Sequence, residues 1–244
     1  MQFTFEYGEI TGLSSEERRI IDDLMLRYRS AKRIAFNKLH PSNSPSVREV
    51  THHLEEFDNS LALNWRYCEH AARDAYAEVK SQRELLPLHL SDTYDRIEEI
   101  ERKLARSKKR SRSLERKLKN LIERKEMLEG HIADGTTPKV IFGTKKLFVE
   151  RAKGKITNRQ WKDARNNQVY SIGQANQKGN ANIRIKEDSI GINFPERIER
   201  RVAKGGRVYR VKDVRGWFNL RVNEKFKRYM DGLLKSGRAY SENC

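Results

Sequence analysis

Cysteine is nearly absent from this chain: Cys68 and Cys244 are the two it has. They are too few for a disulfide framework, and no Cys-x-x-Cys pair is present to hold zinc. Long apolar runs are missing as well, for none approaches the ~20 residues needed to span a bilayer. The first ten residues, MQFTFEYGEI, have neither the charged lead-in nor the apolar core of a signal segment. The expected compartment is therefore the cytoplasm. Proline is confined to five positions, and from Ser91 to Gly130 neither proline nor glycine interrupts the chain before that final glycine.

Acidic charge is scarce at one end only. Residues 1–90 hold 12 Lys and Arg against 14 Asp and Glu, and residues 91–135 hold 13 against 10. Residues 136–244 hold 26 against 10. Nearly all of the formal charge of +17 thus falls in the C-terminal segment. A basic excess so segregated points to a polyanion, with nucleic acid ahead of an anionic membrane surface. Only 36% of the 244 residues are hydrophobic and 35% are charged. That balance suits an elongated helical protein or one ordered on a large charged partner.

The chain opens on an alternation, with Phe3, Phe5 and Tyr7 on one face and Thr4 and Glu6 on the other, as in a half-buried strand. Ser14 and Glu17 then form a capping-box pattern. A helical stripe follows through Ile20, Ile21, Leu24, Tyr28, Ala31, Ala35 and Leu39. Pro41 and Pro45 end it. Ser46 and Glu49 repeat the capping box, and a second stripe runs through Val50, Leu54, Phe57 and Leu61. Helical spacing resumes from Cys68 through Val79 and is expected to stop at Pro87, giving a small bundle.

From Ser91 to about Ile132 apolar residues recur near heptad spacing, but Ser107 and Ser111 interrupt the seam within SKKRSRS. One continuous coiled-coil helix satisfies this pattern, and so does an antiparallel hairpin bent near Ser107–Ser113. Two polar seam positions favour the hairpin. After Pro138 a helix is expected from Asn158 to about Asn167. Strand-like alternation then takes over at Ile183–Ile185, Ile190–Phe194, Val208–Val211 and Phe218–Val222, with a hairpin turn at Gly205-Gly206. A short helix is expected over Asn223 to Lys235. The fold class is α+β. A basic, largely antiparallel β-domain comprises residues 1–13 and 136–244, and residues 14–135 form a helical insert. The N-terminal strand completes the C-terminal sheet, because a lone strand needs partners for its backbone groups.

Residues 139–185 carry the strongest chemical signal. Eleven Lys and Arg side chains are interleaved there with Phe142, Phe148, Trp161, Tyr170 and a run of amides. Cations neutralise phosphate, aromatic rings stack on bases, and amides bond sugar and base edges. The stretches VIFGTKKLF (140–148), W-K-x-x-R-N-N-Q-x-Y-S-I-G (161–173) and G-N-A-N-I-R-I (179–185) resemble the TnpB (OrfB) transposon-encoded proteins, relatives of the type V CRISPR effectors. The order of parts is similar too. The resemblance implies a β-barrel wedge domain and a helical recognition insert that together hold a guide RNA scaffold and contact double-stranded target DNA. In such systems base pairing reads the sequence, while the protein reads shape and a short adjacent motif. Members of that family continue into a RuvC-type nuclease domain. The chain is expected to stop about where that domain would begin, so no catalytic residue is carried over, and no cofactor or metal is expected.

The expected nucleic-acid contacts are Lys145, Lys146, Arg151 and Lys153 on phosphates, with Arg165, Asn166, Asn167, Gln168 and Tyr170 on sugars or bases. Gly173, Gly179 and the amides between them would form a loop along the nucleic-acid backbone. Asn180, Asn182 and Arg184 are expected to contact nucleic acid as well, and Arg207, Arg210, Lys212 and Arg215 would line a groove. Against these stand ordinary roles: a solvated basic loop, amide caps at a helix end, a hairpin turn, and outward charges on sheet edges. Trp161 is expected to be a core anchor. His52, His53, Glu55, Glu56 and Asp58 read as a polar helix surface, and Cys68 as a buried small residue. Two alternatives accompany the leading reading. In one, a separate chain supplies the nuclease domain. In the other, a structural RNA-binding protein forms a homodimer through its helical arm.

Overall fold

The computed structural model describes residues 8–41, 43–56, 61–107, 111–173, 180–186, 188–201, 207–222 and 227–228. Six helices and four strands are found among them. These are β1 (Gly8–Ile10), α1 (Ser15–Leu39), α2 (Val47–Glu56), α3 (Trp65–Arg106), α4 (Arg112–Ala133), α5 (Lys145–Ala152), α6 (Asn158–Asn166), β2 (Ile183–Ile185), β3 (Ser189–Arg201) and β4 (Arg207–Val222). The fold is α+β and mostly helical.

Both capping boxes form as their spacing predicts. The Glu17 N–H donates to Ser14 Oγ at 3.2 Å, and the Ser14 N–H donates to the Glu17 carboxylate at 2.8 Å. Ser46 and Glu49 repeat the exchange at the start of α2. Each pair satisfies two backbone donors that the first helical turn leaves free. One face of α1 then buries Leu24, Tyr28, Ala31, Ala35 and Leu39 against Tyr67, Ala71, Ala72 and Ala75 of α3. The alanines allow the two helix backbones to approach closely.

α3 runs for 42 residues, on the order of 60 Å at 1.5 Å per residue. It does not stop at Pro87, which lies within it. Leu86 and Thr93, on either side, are buried and hold the helix in place. Pro87 itself is exposed, so water can bond the carbonyl that its missing N–H leaves free. Beyond Leu86, α3 turns back into α4 as an antiparallel hairpin rather than one continuous helix. Tyr94 donates to the Glu129 carboxylate at 2.5 Å across the pair, and Lys125 sits 5.3 Å from the Tyr94 ring centre. Ser111 caps α4 by accepting from the Leu114 N–H.

The sheet has the order β1-β4-β3-β2, antiparallel at every step. β4 is one strand where the sequence suggested two. The expected joining of the N-terminal strand to the C-terminal sheet is found in the pairing of Gly8 with Val222 and Ile10 with Leu220. Phe3, Phe5 and Tyr7 lie outside the described residues, as do the Gly205-Gly206 turn and nearly all of the expected helix over 223–235. The expected barrel does not form among the described residues. β1 and β2, three residues each, sit at opposite edges and bond only inward, leaving the sheet open. Alternation specifies strands, but closure requires the two edges to meet.

One sheet face packs on the helices, with Ile192, Phe194 and Phe218 joining the core of α1, α2 and α3. Gly216 lies opposite Ile192, and a side chain there would collide with the Phe194 and Phe218 rings, which meet edge-on at 5.8 Å. Hydrogen bonds complete the junction. Arg27 donates to the carbonyls of Ala62 and Pro195, and Tyr67 donates to the Asn193 carbonyl at 3.0 Å.

Candidate nucleic-acid interface

The segment after Pro138 lies along α1. Phe142 meets Phe36 edge-on with ring centres 5.5 Å apart, and the Arg29 guanidinium stands 5.7 Å from the Phe142 ring centre. The chain then turns sharply at Gly143 (φ +95°) and Thr144 (φ +70°). A β-carbon on Gly143 would lie 2.6 Å from Cγ of Arg165, so the turn requires glycine for both its dihedral and its space. Thr144 caps α5 by accepting from the Leu147 N–H. α5 has no counterpart in the sequence reading. Its eight residues carry little amphipathic pattern, and the cap at Thr144 is the signal that could have located it.

α5 and the turn after it present Lys145, Lys146, Arg151 and Lys153 to solvent. Among the described residues none of the four takes part in an ion pair. α6 begins at a Thr157–Gln160 capping box and buries Trp161, the core anchor expected of it. Phe148 lies 6.1 Å from the Trp161 ring and the Arg165 guanidinium 5.5 Å from it.

Two arginines of α1 organise the end of α6, and the sequence reading missed both. Arg29 donates through Nε to the Arg165 carbonyl at 3.0 Å and through Nη1 to the Gln168 side-chain oxygen at 3.3 Å. Arg33 donates through Nη1 to the Asn166 side-chain oxygen at 2.9 Å and through Nη2 to Ser30 Oγ at 3.0 Å. Burial, followed by the nearby charges of Arg165 and Arg29, pushes the Arg33 guanidinium down to about 10. Arg29 and Arg33 sit one turn apart at the border of an apolar stripe, in a region of balanced charge. Only the docking of α6 reveals them.

Asn167 caps α6 and is exposed. Tyr170 packs edge-on against the buried His70 at 6.4 Å while remaining 42% exposed. With Ile172, Trp65, Tyr76, Arg48 and Arg73 it lines a groove of about 940 Å³. Burial holds the His70 imidazole below its ordinary pKa. The amide-rich residues 174–179 lie outside the described residues.

Other expected contacts turn inward. The Asn180 side-chain oxygen accepts from the N–H groups of Asn182 and Ile183 and from the Ser171 hydroxyl. Asn182 is fully buried and accepts from the Asn64 side-chain amide. Arg215 donates to the Asn193 side chain at 2.8 Å and to the Ala181 carbonyl at 2.7 Å. Arg184 is half-buried, and Lys212 is exposed on β4. The backbones of Arg207 and Arg210 pair with those of Arg201 and Ile198. Among the described residues no group of three or more His, Cys, Asp or Glu is placed to hold a metal ion. No helix among them is long and apolar enough to cross a membrane.

A family described as the SSO2105 N-terminal domain matches residues 7–212. No curated protein and no solved structure matches the chain.

Proposed function

The chain belongs to the SSO2105 N-terminal domain family, and we propose that it is a nucleic-acid-binding protein that holds a guide RNA and contacts a DNA target. In this reading the helices of 14–135 serve as the recognition part of a TnpB-like protein. The open sheet with α5 and α6 serves as its wedge. Cytoplasmic RNA and DNA are the partners it requires, and no catalytic residue is assigned to it.

One observation carries the proposal. The C-terminal segment holds 26 of the chain's Lys and Arg against 10 Asp and Glu, and Lys145, Lys146, Arg151 and Lys153 project from α5 and its end, with no acidic partner among the described residues. Cations exposed and unpaired are free to displace counterions from phosphate. The groove beside Tyr170 supports the same reading through the exposed Tyr170 and Tyr76 rings, since every base has a face that can stack. Of its two arginines, Arg73 is paired with Glu69 at 2.8 Å.

The test is whether the purified protein carries RNA, read from its ultraviolet absorbance ratio and from sequencing of what co-purifies. A uniform transcript bound at low salt is the expected result. Protein that emerges free of nucleic acid, and binds neither RNA nor duplex DNA at low salt, would overturn the proposal.

A second reading rests on the hairpin arm. Leu88, Ile122, Met127 and Ile132 are exposed along α3 and α4, which favours an arm that pairs with a second copy. Light scattering of the full chain decides it, with a dimer that the exposed-leucine variant Leu88→Lys disperses as the supporting outcome.

A further inference from the structure

Three guanidinium groups, from Arg29, Arg33 and Arg165, converge where α1 meets the end of α6. Every hydrogen-bond acceptor the structure gives Arg29 and Arg33 is neutral: the Arg165 carbonyl, the Gln168 and Asn166 side-chain oxygens, and Ser30 Oγ. Lys32, next in line on α1, differs, for it is paired with Asp74 at 2.9 Å. The charges that act on Arg33 are the other two guanidiniums, and no carboxylate is among them. Arg165 Nε is buried and has no hydrogen-bond partner among the described residues.

Such a cluster is costly by itself. Like charges in a partly buried site repel, and a buried donor without an acceptor is destabilising. Structural docking of α6 explains the bonds made by Arg29 Nε and by Arg33 Nη1. The Arg165 guanidinium lies over the Trp161 ring at 5.5 Å, but that contact leaves its Nε donor unused. Each arginine carries five N–H groups in a planar fork, and the acceptors described engage fewer than half of those on Arg29 and Arg33. An anion with several oxygens would take up the remaining donors and cancel the repulsion. Phosphate matches that fork geometry best.

We propose that Arg29, Arg33 and Arg165 form a built phosphate site that takes one backbone phosphate of a bound nucleic acid. Asn166 and Gln168 are then positioning residues, which aim the arginines rather than read base edges. Arg29 is 7% exposed and anchors the cluster, while the half-buried Arg33 and Arg165 present it to the ligand. The site rests on the nucleic-acid reading above and adds a specific contact to it.

The experiment uses the full chain, a labelled single-stranded RNA oligonucleotide, the matching DNA, and inorganic phosphate. Arg33→Gln and Arg165→Gln are each compared with Arg33→Lys and Arg165→Lys, and folding is checked by circular dichroism and thermal unfolding. The expected result is a loss of about tenfold in oligonucleotide affinity for each glutamine variant. The slope of log affinity against log salt should also fall by about 0.7 for RNA. The lysine variants should recover the slope but only part of the affinity, because lysine keeps the charge and loses the fork. If the wild type binds oligonucleotide and folded glutamine variants bind it equally well with the same slope, this site is refuted and the broader reading stands. If the wild type binds no oligonucleotide, the broader reading falls. Thermal stabilisation by inorganic phosphate that Arg33→Gln abolishes would then identify a free-anion site and overturn the nucleic-acid source.

Discussion

The side-chain amide of Asn64, at the start of α3, donates to the side-chain oxygen of Asn182 at 2.9 Å and so ties the helical bundle to the edge of the sheet. Asn64 also accepts from the Tyr67 N–H and donates to the Asp213 carboxylate at 2.8 Å. Asn182 is fully buried. Asn182→Ala should therefore lower stability by about 1–3 kcal/mol, the cost of a buried polar group left unpaired. Nucleic-acid binding by the folded fraction should keep its salt slope. A changed slope with stability intact would instead put Asn182 on the ligand.

Gly143 presents a second structural constraint. Its φ of +95° lies where L side chains are strained, and Arg165 occupies the space a methyl group would need. Gly143→Ala should cost about 1–3 kcal/mol from backbone strain alone. The added clash should also move Arg165. Thermal unfolding reads the first effect and oligonucleotide affinity the second. A variant as stable as the parent would show that the turn is not needed in this form.

The exposed cations of α5 should act through phosphate rather than through stability. Changing Lys145, Lys146 and Arg151 to Ala together should flatten the plot of log affinity against log salt by roughly 1–3 units. The unfolding midpoint should barely move, since the three side chains are exposed and form no ion pair among the described residues. An unchanged slope would place them away from the nucleic acid.

His70 gives the protein a pH-dependent component of stability. Burial, reinforced by Arg66 and Arg73 and opposed by Glu69, holds its folded-state pKa below the ordinary value. As pH falls through the ordinary histidine pKa of about 6.5, the unfolded chain takes up the proton first. This contribution is therefore full above that pH and is lost as pH falls toward the folded value. Glu17, Glu49 and Glu99 act separately, because hydrogen bonds hold them below the usual carboxylate range and their loss comes at lower pH. His70→Gln should remove the upper part of the pH dependence seen in urea unfolding midpoints. A difference between variant and parent that stays constant across that window would refute the assignment.

The local elements were largely legible. Ser14 with Glu17 and Ser46 with Glu49 predicted two helix starts, because a capping box is satisfied within four residues of itself. The stripe from Leu24 to Leu39 predicted the buried face of α1, and the spacing at 158–167 predicted α6. α5 escaped notice because its start depends on a positive-φ turn at Gly143 and Thr144, which periodicity does not register. Pro87 misled because an exposed proline within a well-packed helix leaves a carbonyl that solvent can satisfy.

What the amino-acid sequence determined by itself was the short-range and the cumulative: helix caps, apolar stripes, strand alternation and the concentration of positive charge after residue 136. Tertiary structure decided the rest. It chose a hairpin over a continuous helix for α3 and α4, left the sheet open, and turned Asn180, Asn182 and Arg215 inward to hold the sheet. It also brought Arg29 and Arg33, more than 130 residues earlier in the chain, to the end of α6. Caps and stripes are satisfied by neighbours along the chain. The partner of a polar side chain is set by which surfaces meet in space.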